Sequence, residues 1–329
     1  MTLVLSFISP ALVVHSSDRR VTATAGHGRS WVHSPVENKT IIFRGKDAVG
    51  VIGYTGFAYV KRQPTDQWLA NVLAPQPAGQ PQLGEFAFGG RGIGPARLNT
   101  LIHRLREAIR SEASLSAKPG LTILVSGYRQ RRKKVIPFAL ELNSLKPSCI
   151  QWSQMRLPRS LREFVGFASV GDALPPSEIM SDFEKGCAAS AHEDLATKVR
   201  EGLVAATRAR ARKSALIGSD LMLVTIPHPS IERKIYWRYE ADEQRTEEMI
   251  VRNGKAIKFP AIYTPWILTI SSVTCPGNGT GGWTMQASDY EIICDTPNVQ
   301  TSAGDGVIED ERGNFLAVFG HQRRRPPPA

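Results

Sequence analysis

The sequence predicts an α+β fold, in which antiparallel strands and paired helices occupy separate blocks of the chain. Residues 2–9 and 11–17 are two apolar, β-branched runs broken at Ser9-Pro10, a pattern typical of a tight hairpin. From Leu98, apolar residues recur at i+3, i+4, i+7 and i+11, which predicts an amphipathic helix. The order of strands, two helices, strands, two helices and a strand favours layered sheets and helices over a regular βαβ alternation.

The other elements follow from the same two periodicities. Apolar runs predict further strands at 39–43, 47–52, 121–126, 135–142, 149–156, 163–170 and 219–226. Helical spacing predicts helices at 57–73, with a break at Pro64, and at 173–185 and 192–213. A segment rich in Pro, Gly and Gln, 74–95, predicts a loop, and the basic run from Arg129 to Lys134 predicts the tip of a hairpin.

The 329 residues divide into a predicted core and an extension. Residues 1–226 contain the blocks just described, and we expect them to form one domain. Beyond that point the pattern changes to short strand-like runs, as at 262–270, so 227–320 is predicted to be a β-rich extension. The end, 321–329, is basic and proline-rich and is expected to be a disordered tail.

Composition excludes several protein classes and leaves the meaning of the charge open. The chain is 42% hydrophobic and 22% charged, which excludes a disordered, collagenous or coiled-coil protein. Its net charge of +11 is concentrated in 101–134, 198–213 and 323–325, which hold 18 of the 41 basic residues. A solvated hairpin tip and helix face would explain this pattern, and so would contact with nucleic acid or another anionic surface.

The N-terminal apolar run does not predict a membrane or an export segment. It extends only to Val14, contains Pro10, and is shorter than the ~20 residues that a spanning helix needs. No basic residues precede it, so we expect no signal peptide, no membrane association and a cytoplasmic location.

The cysteines and histidines do not form metal-binding motifs. The four cysteines include no CxxC pair, and the seven histidines include no HxH or HxxxH pair. We therefore expect no metal and no cofactor, and thiols that stay reduced.

The most informative segment is the N-terminus. Thr2 follows Met1, and a small second residue is the usual condition for removing the initiator. The resulting N-terminal threonine carries a hydroxyl nucleophile and an α-amine with a pKa near 8, which can take the hydroxyl proton. A nearby cation would keep that amine neutral, and a carboxylate would orient the cation.

The spacing of this segment resembles that of proteasome β subunits and their bacterial relatives, including the ancestral-type (Anbu) peptidases. The matching stretches are Thr2-Leu3-Val4, Leu12 to Thr22, Lys39, and Val51 to Gly56. Asp18 lies sixteen positions after Thr2, Arg20 lies two further, and Gly53 lies fourteen after Lys39.

The resemblance implies a role for each of these residues. Thr2 would be the nucleophile and base, Lys39 the cation, and Asp18 the partner of that lysine. Gly53 would supply an oxyanion-hole N–H, and Thr22 would pair with extended substrate. The implied fold is the four-layer αββα sandwich of proteasome-like N-terminal-nucleophile (Ntn) hydrolases over residues 1–226.

The chain departs from the family pattern around the supporting residues. Arg20 keeps the family's Asp-x-Arg spacing. Ser169 lies one residue before the position of the family's turn serine, in the sequence Ala-Ser-Val-Gly. The second aspartate of the family is expected at 212–218, where no acid occurs before Asp220.

Two hypotheses follow. The first is a threonine peptidase or amidohydrolase that cleaves peptide or amide substrates and assembles as a homo-oligomeric ring or spiral. The second is a catalytically inactive, proteasome-like scaffold that binds nucleic acid or another partner through its basic patches.

Overall fold

The computed structural model describes residues 2–24, 30–34, 37–76, 88–116, 120–146, 150–151, 166–171, 192–240, 247–252, 255–260, 265–274, 284–287 and 289–294. The helices are α1 (Thr65–Leu73), α2 (Leu98–Ser111) and α3 (His192–Ala211), with a 3₁₀ turn at Ala113–Ser116. In chain order the strands are β1 (Leu3–Ile8), β2 (Leu12–Asp18), β3 (Val21–Thr24), β4 (Ser30–Ser34), β5 (Thr40–Arg44), β6 (Ala48–Thr55), β7 (Tyr59–Val60), β8 (Gln63–Pro64), β9 (Phe88–Arg91), β10 (Thr122–Arg131), β11 (Lys134–Asn143), β12 (Ile150–Gln151), β13 (Gly166–Gly171), β14 (Leu221–Pro227), β15 (Lys234–Glu240), β16 (Glu247–Arg252), β17 (Lys255–Pro260), β18 (Trp266–Leu268), β19 (Ser272–Thr274), β20 (Thr284–Ala287) and β21 (Tyr290–Cys294).

Two large sheets contain most of these strands. The first sheet has the order β13-β1-β2-β14-β15-β21-β20, and the second has the order β12-β11-β10-β6-β5-β18-β19-β9. Strands from beyond Pro227 extend both sheets: β21 pairs in parallel with β15 in the first, and β18 pairs in parallel with β5 in the second. The described residues therefore form an α+β fold, as the order of elements predicts.

Three clusters of buried apolar side chains hold the sheets and helices together. One cluster lies between the two sheets and joins Val4 and Val13 of the first to Val51 and Leu124 of the second. A second cluster packs α1 and α2 against the second sheet, and a third packs α3 against the first.

Each sheet is covered by helices on one face and by the other sheet on the opposite face. Strands buried on both faces are apolar along their whole length. In β1, Leu3, Leu5 and Phe7 belong to the cluster under α3, while Val4 and Ile8 belong to the cluster between the sheets. Every residue of β1 is buried, so the strand lacks the polar alternation of a solvent-facing strand.

The predicted helix at 57–73 is wrong in its first half. Residues 59–64 form the short β7–β8 hairpin, and α1 begins only after Pro64. Proline lacks the N–H that a helix interior needs and is tolerated at a helix start. The predicted helix at 173–185 and the tail at 321–329 lie outside the described residues, as does most of the predicted strand at 149–156.

Candidate active site

Thr2 and Lys39 meet at one end of the two sheets. Thr2 immediately precedes β1 and Lys39 immediately precedes β5, so the two side chains come from different sheets. The Lys39 Nζ atom donates to Thr2 Oγ1 over 2.7 Å. Thr2 is 6% exposed and Lys39 is 2% exposed, so this hydrogen bond lies largely out of solvent.

Asp18, at the end of β2, forms an ion pair with Lys39. Its carboxylate oxygens lie 3.3 and 3.4 Å from Lys39 Nζ. It also accepts backbone N–H bonds from Leu3 at 2.8 Å, from Arg20 at 3.2 Å and from Gly218 at 3.0 Å. Because a buried carboxylate is costly unless it is paired, these four partners explain how a fully buried aspartate is accommodated.

The three protons of the Lys39 ammonium all have acceptors. They are directed at Thr2 Oγ1, at the Asp18 carboxylate and at the backbone carbonyl of Arg20. Burial lowers the pKa of Lys39 from its ordinary value, and the negative charge of Asp18 raises it again in part. Glu37 also raises this pKa, and the neighbouring cation Arg19 lowers it.

Arg20 and Thr22 continue the chain past this cluster. The Arg20 carbonyl binds Lys39, whereas its guanidinium reaches away and donates to the Ala215 carbonyl at 3.0 Å. Thr22 lies at the start of the β3 hairpin and is partly exposed beside Thr2. Arg20 thus contacts the site through its backbone, and Thr22 lines the entrance.

A small cavity opens directly on Thr2. Its volume is about 20 Å³, which is room for about one water-sized group. Thr55 forms part of its wall, and the Thr55 hydroxyl donates to the Thr2 carbonyl at 3.3 Å. The cavity is lined by Thr2, Val21, Thr22, Lys39, Tyr54, Thr55, Gly56, Phe57 and Ala58.

The structure does not bring Gly53 to this cavity. Gly53 lies inside β6 and is paired with Thr40 of β5 and Leu124 of β10, so its N–H lies within the sheet ladder. A Cβ at this position would lie 2.5 Å from His15 Nε2 and 2.6 Å from Val4 Cγ1. The glycine therefore makes room for the His15 ring between the sheets.

Ser169 is not brought to Thr2 either. It pairs with Leu5 in the β1–β13 ladder, three residues along the strand from Thr2. The residue of β13 that lies against Thr2 is Gly171, which has a φ of +108°. A Cβ on Gly171 would lie 1.7 Å from the Thr2 carbonyl oxygen. Only glycine fits this close approach, which is the physical meaning of a glycine at the end of that strand.

Asp220 takes no part in the cluster around Lys39. Its carboxylate accepts the Tyr239 hydroxyl at 2.6 Å, and its carbonyl accepts the Arg19 N–H at 3.1 Å. Arg19 in turn lies 4.6 Å above the Tyr239 ring. Asp220 therefore supports the segment next to Asp18.

Sequence reasoning missed the turn at 55–58 and Gly171. The sequence holds a signal for both, because a glycine follows or ends the apolar run in each stretch, at Gly56 and at Gly171. In the structure both glycines have a positive φ.

Within the described residues, no group of three or more His, Cys, Asp or Glu side chains could hold a metal ion. No helix of the described part is long and apolar enough to cross a membrane.

No protein-family model matches the chain, and no curated protein matches its sequence. Among solved structures, the chain is similar to the Anbu (Gly-1) mutant from Hyphomicrobium sp. strain MC1, at 12% identity and a TM-score of 0.44. That match covers 69% of this chain and 82% of the other. It is also similar to Anbu (ancestral beta-subunit) from Yersinia bercovieri, at 11% identity and a TM-score of 0.44, over 68% of this chain and 81% of the other.

Proposed function

We propose that the chain is an amide-bond hydrolase of the threonine-peptidase type, whose nucleophile is Thr2 after removal of Met1. One observation carries the proposal: a buried ammonium, Lys39 Nζ, donates to the Thr2 hydroxyl at 2.7 Å with Asp18 behind it. A hydroxyl held by a paired cation is activated as a nucleophile once a base takes its proton.

The α-amine of Thr2 and the ammonium of Lys39 have separate roles in the proposed reaction. The α-amine of the mature Thr2 takes the hydroxyl proton, and Oγ1 forms an ester bond with the substrate carbonyl carbon. The amide C–N bond breaks, and the leaving amine receives that proton from the α-ammonium. Water then hydrolyses the ester with the amine again as base. Lys39 keeps its charge throughout and stabilises the negative charge that develops on Oγ1.

The substrate contacts are assigned to the cavity wall. Gly53 supports the site from behind by admitting His15. The oxyanion donor is assigned to a backbone N–H of the turn at 55–58, because that turn and Thr2 line one cavity. Thr22, at the same cavity, is assigned to binding of the extended substrate, and Ser169 stays a predicted supporting residue.

The wider architecture belongs to the same proposal. The three apolar clusters support a four-layer αββα sandwich, with α3 on one outside and α1 and α2 on the other. The core at 1–226, the extension at 227–320, a cytoplasmic location and a homo-oligomeric ring or spiral complete it.

Intact mass and acylation test the proposal together. The mature chain is expected to lack Met1 and to react at Thr2 with a β-lactone, an electrophile that acylates hydroxyl nucleophiles. Hydrolysis of a peptide library and β-lactone labelling are expected to disappear in Thr2→Ala. The matched control is Thr225→Ala, which removes a buried threonine from β14, at the other end of the sheet.

Retention of Met1 in the native host would contradict the proposal. So would Thr2→Ala that hydrolyses peptides at the rate of Thr225→Ala. Thr2→Ser is expected to keep measurable labelling, because serine retains both the amine and the hydroxyl.

One observation favours a second candidate, the non-catalytic scaffold. At the β10–β11 tip, Arg131, Arg132, Lys133 and Lys134 are all exposed, and no acidic side chain of the described residues pairs with them. Salt-dependent binding of DNA or RNA that is lost when Arg131, Arg132 and Lys133 are neutralised would support this function. Affinity that is unchanged between low and moderate salt would count against it.

A further inference from the structure

Asn38, the residue before Lys39, makes an unusual pair of local hydrogen bonds. Its Oδ1 accepts the Thr40 N–H at 3.0 Å, and its Nδ2 donates to the Thr40 carbonyl at 3.0 Å. The side chain thus bonds to both backbone groups of the residue on the far side of Lys39. This closes a short loop with Lys39 in the middle.

A buried carboxylate holds that amide in place. Asn38 Nδ2 also donates to Asp66 Oδ2 at 2.9 Å, and the same oxygen accepts the indole N–H of Trp266 at 3.1 Å. Asp66 is 1% exposed and lies in the first turn of α1, where the helix dipole favours a negative charge. Both partners therefore bond to one desolvated oxygen.

The carboxylate favours the same orientation of the Asn38 amide as the two Thr40 backbone groups. If the amide were reversed, its carbonyl would face the Asp66 carboxylate and its NH₂ group would face the Thr40 N–H, with no bond formed in either place. Asp66 thereby reinforces the one orientation that closes the loop around Lys39. The Tyr54 hydroxyl, which donates to the Asn38 carbonyl at 3.1 Å, fixes the same residue from β6.

Trp266 comes from a distant part of the chain. It begins β18, which pairs in parallel with β5, and Trp266 itself lies beside Ile41, two residues after Lys39. The indole is fully buried. The segment beyond Pro227 therefore supplies the donor that orients Asp66.

We propose that Asp66, oriented by Trp266 and acting through Asn38, is a positioning residue for the Lys39 ammonium. This rests on the proposed function, because it assumes that Lys39 activates Thr2. Reactive groups that are displaced by about 1 Å lose about 10²-fold in rate. Loss of Asp66 is therefore expected to slow acylation of Thr2 while leaving the residues that line the cavity at Thr2 unchanged.

The test is the rate of β-lactone acylation of Thr2 on the full chain, measured by intact mass over a range of probe concentrations. Asp66→Ala is expected to lower the maximal rate 10- to 100-fold and to leave the half-saturating concentration within about twofold. Asp66→Asn keeps an oxygen that can accept both donors and is expected to restore the rate to within about fivefold of wild type.

The matched control is Asp47→Ala. Asp47 also serves a helix N-terminus, since it accepts the Leu98 N–H of α2 at 2.7 Å, and it bonds to Arg129 at 3.2 Å. It therefore reports the effect of losing a helix-terminal carboxylate far from Lys39. Its maximal rate is expected to equal that of wild type.

A second pair keeps the inference testable if Asp66→Ala does not fold. Trp266→Phe removes only the indole donor and is expected to slow acylation by about three- to tenfold. Its control, Trp237→Phe, changes an equally buried indole in the cluster between the sheets. Thermal melting of both variants shows whether they lose the same stability.

The possible outcomes distinguish a failure of the positioning role of Asp66 from a failure of the proposed function of Thr2. Equal maximal rates for Asp66→Ala and Asp47→Ala, or for Trp266→Phe and Trp237→Phe, overturn the positioning role while wild-type acylation upholds Thr2. An equal loss of rate in Asp66→Ala and Asp66→Asn overturns it too. No acylation of Thr2 in the wild type overturns the proposed function itself.

Discussion

Lys39→Met removes the cation on which the candidate site depends, and it leaves the Asp18 carboxylate buried. At the observed 3.3 Å separation and an effective dielectric constant of about 20, the attraction between the two charges is about 5 kcal/mol. Breaking a buried ion pair from one side typically costs about 3–5 kcal/mol. The backbone N–H groups of Leu3, Arg20 and Gly218 remain on the carboxylate, so we expect a loss near the lower end, about 3 kcal/mol.

Urea unfolding of Lys39→Met beside Arg44→Met measures this cost. Arg44 is also a cation, at the end of β5, and it forms two bonds of 3.0 Å with Asp289. That pair is partly exposed, at 19% for Arg44 and 37% for Asp289, so its removal is expected to cost only about 0.2–1 kcal/mol. Acylation of Thr2 by the β-lactone is expected to fall by about 10³-fold in Lys39→Met and to stay unchanged in Arg44→Met.

Two results would refute this reasoning. If Lys39→Met loses no more stability than Arg44→Met, the Lys39–Asp18 pair is not a desolvated ion pair. If Lys39→Met is folded and acylates Thr2 at the wild-type rate, the 2.7 Å contact does not activate the hydroxyl.

Three further predictions concern the same region. Gly53→Ala places a Cβ 2.5 Å from His15 Nε2 and is expected to lose about 1–3 kcal/mol in urea unfolding; an unchanged midpoint would contradict the packing role. Burial lowers the pKa of His15 to about 3, below its ordinary 6.5, so the unfolded state gains the proton first as pH falls. The contribution of His15 to stability is then full above about pH 6.5 and declines by about 1.4 kcal/mol per unit toward pH 3, so urea unfolding is expected to show a shallower slope in His15→Gln; equal slopes would contradict this. Because burial lowers the pKa of Lys39, acylation of Thr2 is expected to decline, as Lys39 loses its proton, at a pH below the ordinary lysine value of 10.5; a decline only above it would contradict this.

The spacing that resembles the proteasome β-subunit family singles out Thr2, Asp18 and Lys39, and in the structure each of these residues lies at a strand end. Strand ends follow from where apolar runs start and stop, and residues at the same end of packed sheets come close together. Thr2 precedes β1, Asp18 ends β2 and Lys39 precedes β5, so the three residues lie at strand boundaries that apolar runs help to locate, while their grouping follows from the family spacing.

Gly53 shows where local patterns fail. The sequence predicts a strand ending at 52 and a glycine just beyond it, whereas β6 continues to Thr55 and encloses Gly53. Because the strand is three residues longer than predicted, the turn beside Thr2 lies at 55–58, beyond Gly53. Strand length here depends on pairing with β10, which continues to Thr122 opposite Thr55, and such pairing is not visible in one apolar run.

The contacts around Asp66 lie beyond local reasoning for a different reason. Asn38 and Asp66 are separated by 28 positions, and Trp266 lies 200 positions from Asp66. Nothing in the sequence near Asp66 distinguishes it from an ordinary acidic residue at a helix start. Its role follows only from the insertion of β18 beside β5.

Asp18 connects the site to the fold, and this determines which variants isolate the chemistry. Its carboxylate bonds to the first residue of β1, to the turn after β2 and to the segment before β14, through Leu3, Arg20 and Gly218. Any change at Asp18 therefore loosens three segments and Lys39 at once, and its loss of activity includes a loss of structure. The Thr2 hydroxyl instead meets Lys39 at the edge of a cavity. Thr2→Ala and Thr2→Ser thus change the chemistry while the bonds of Asp18 stay in place.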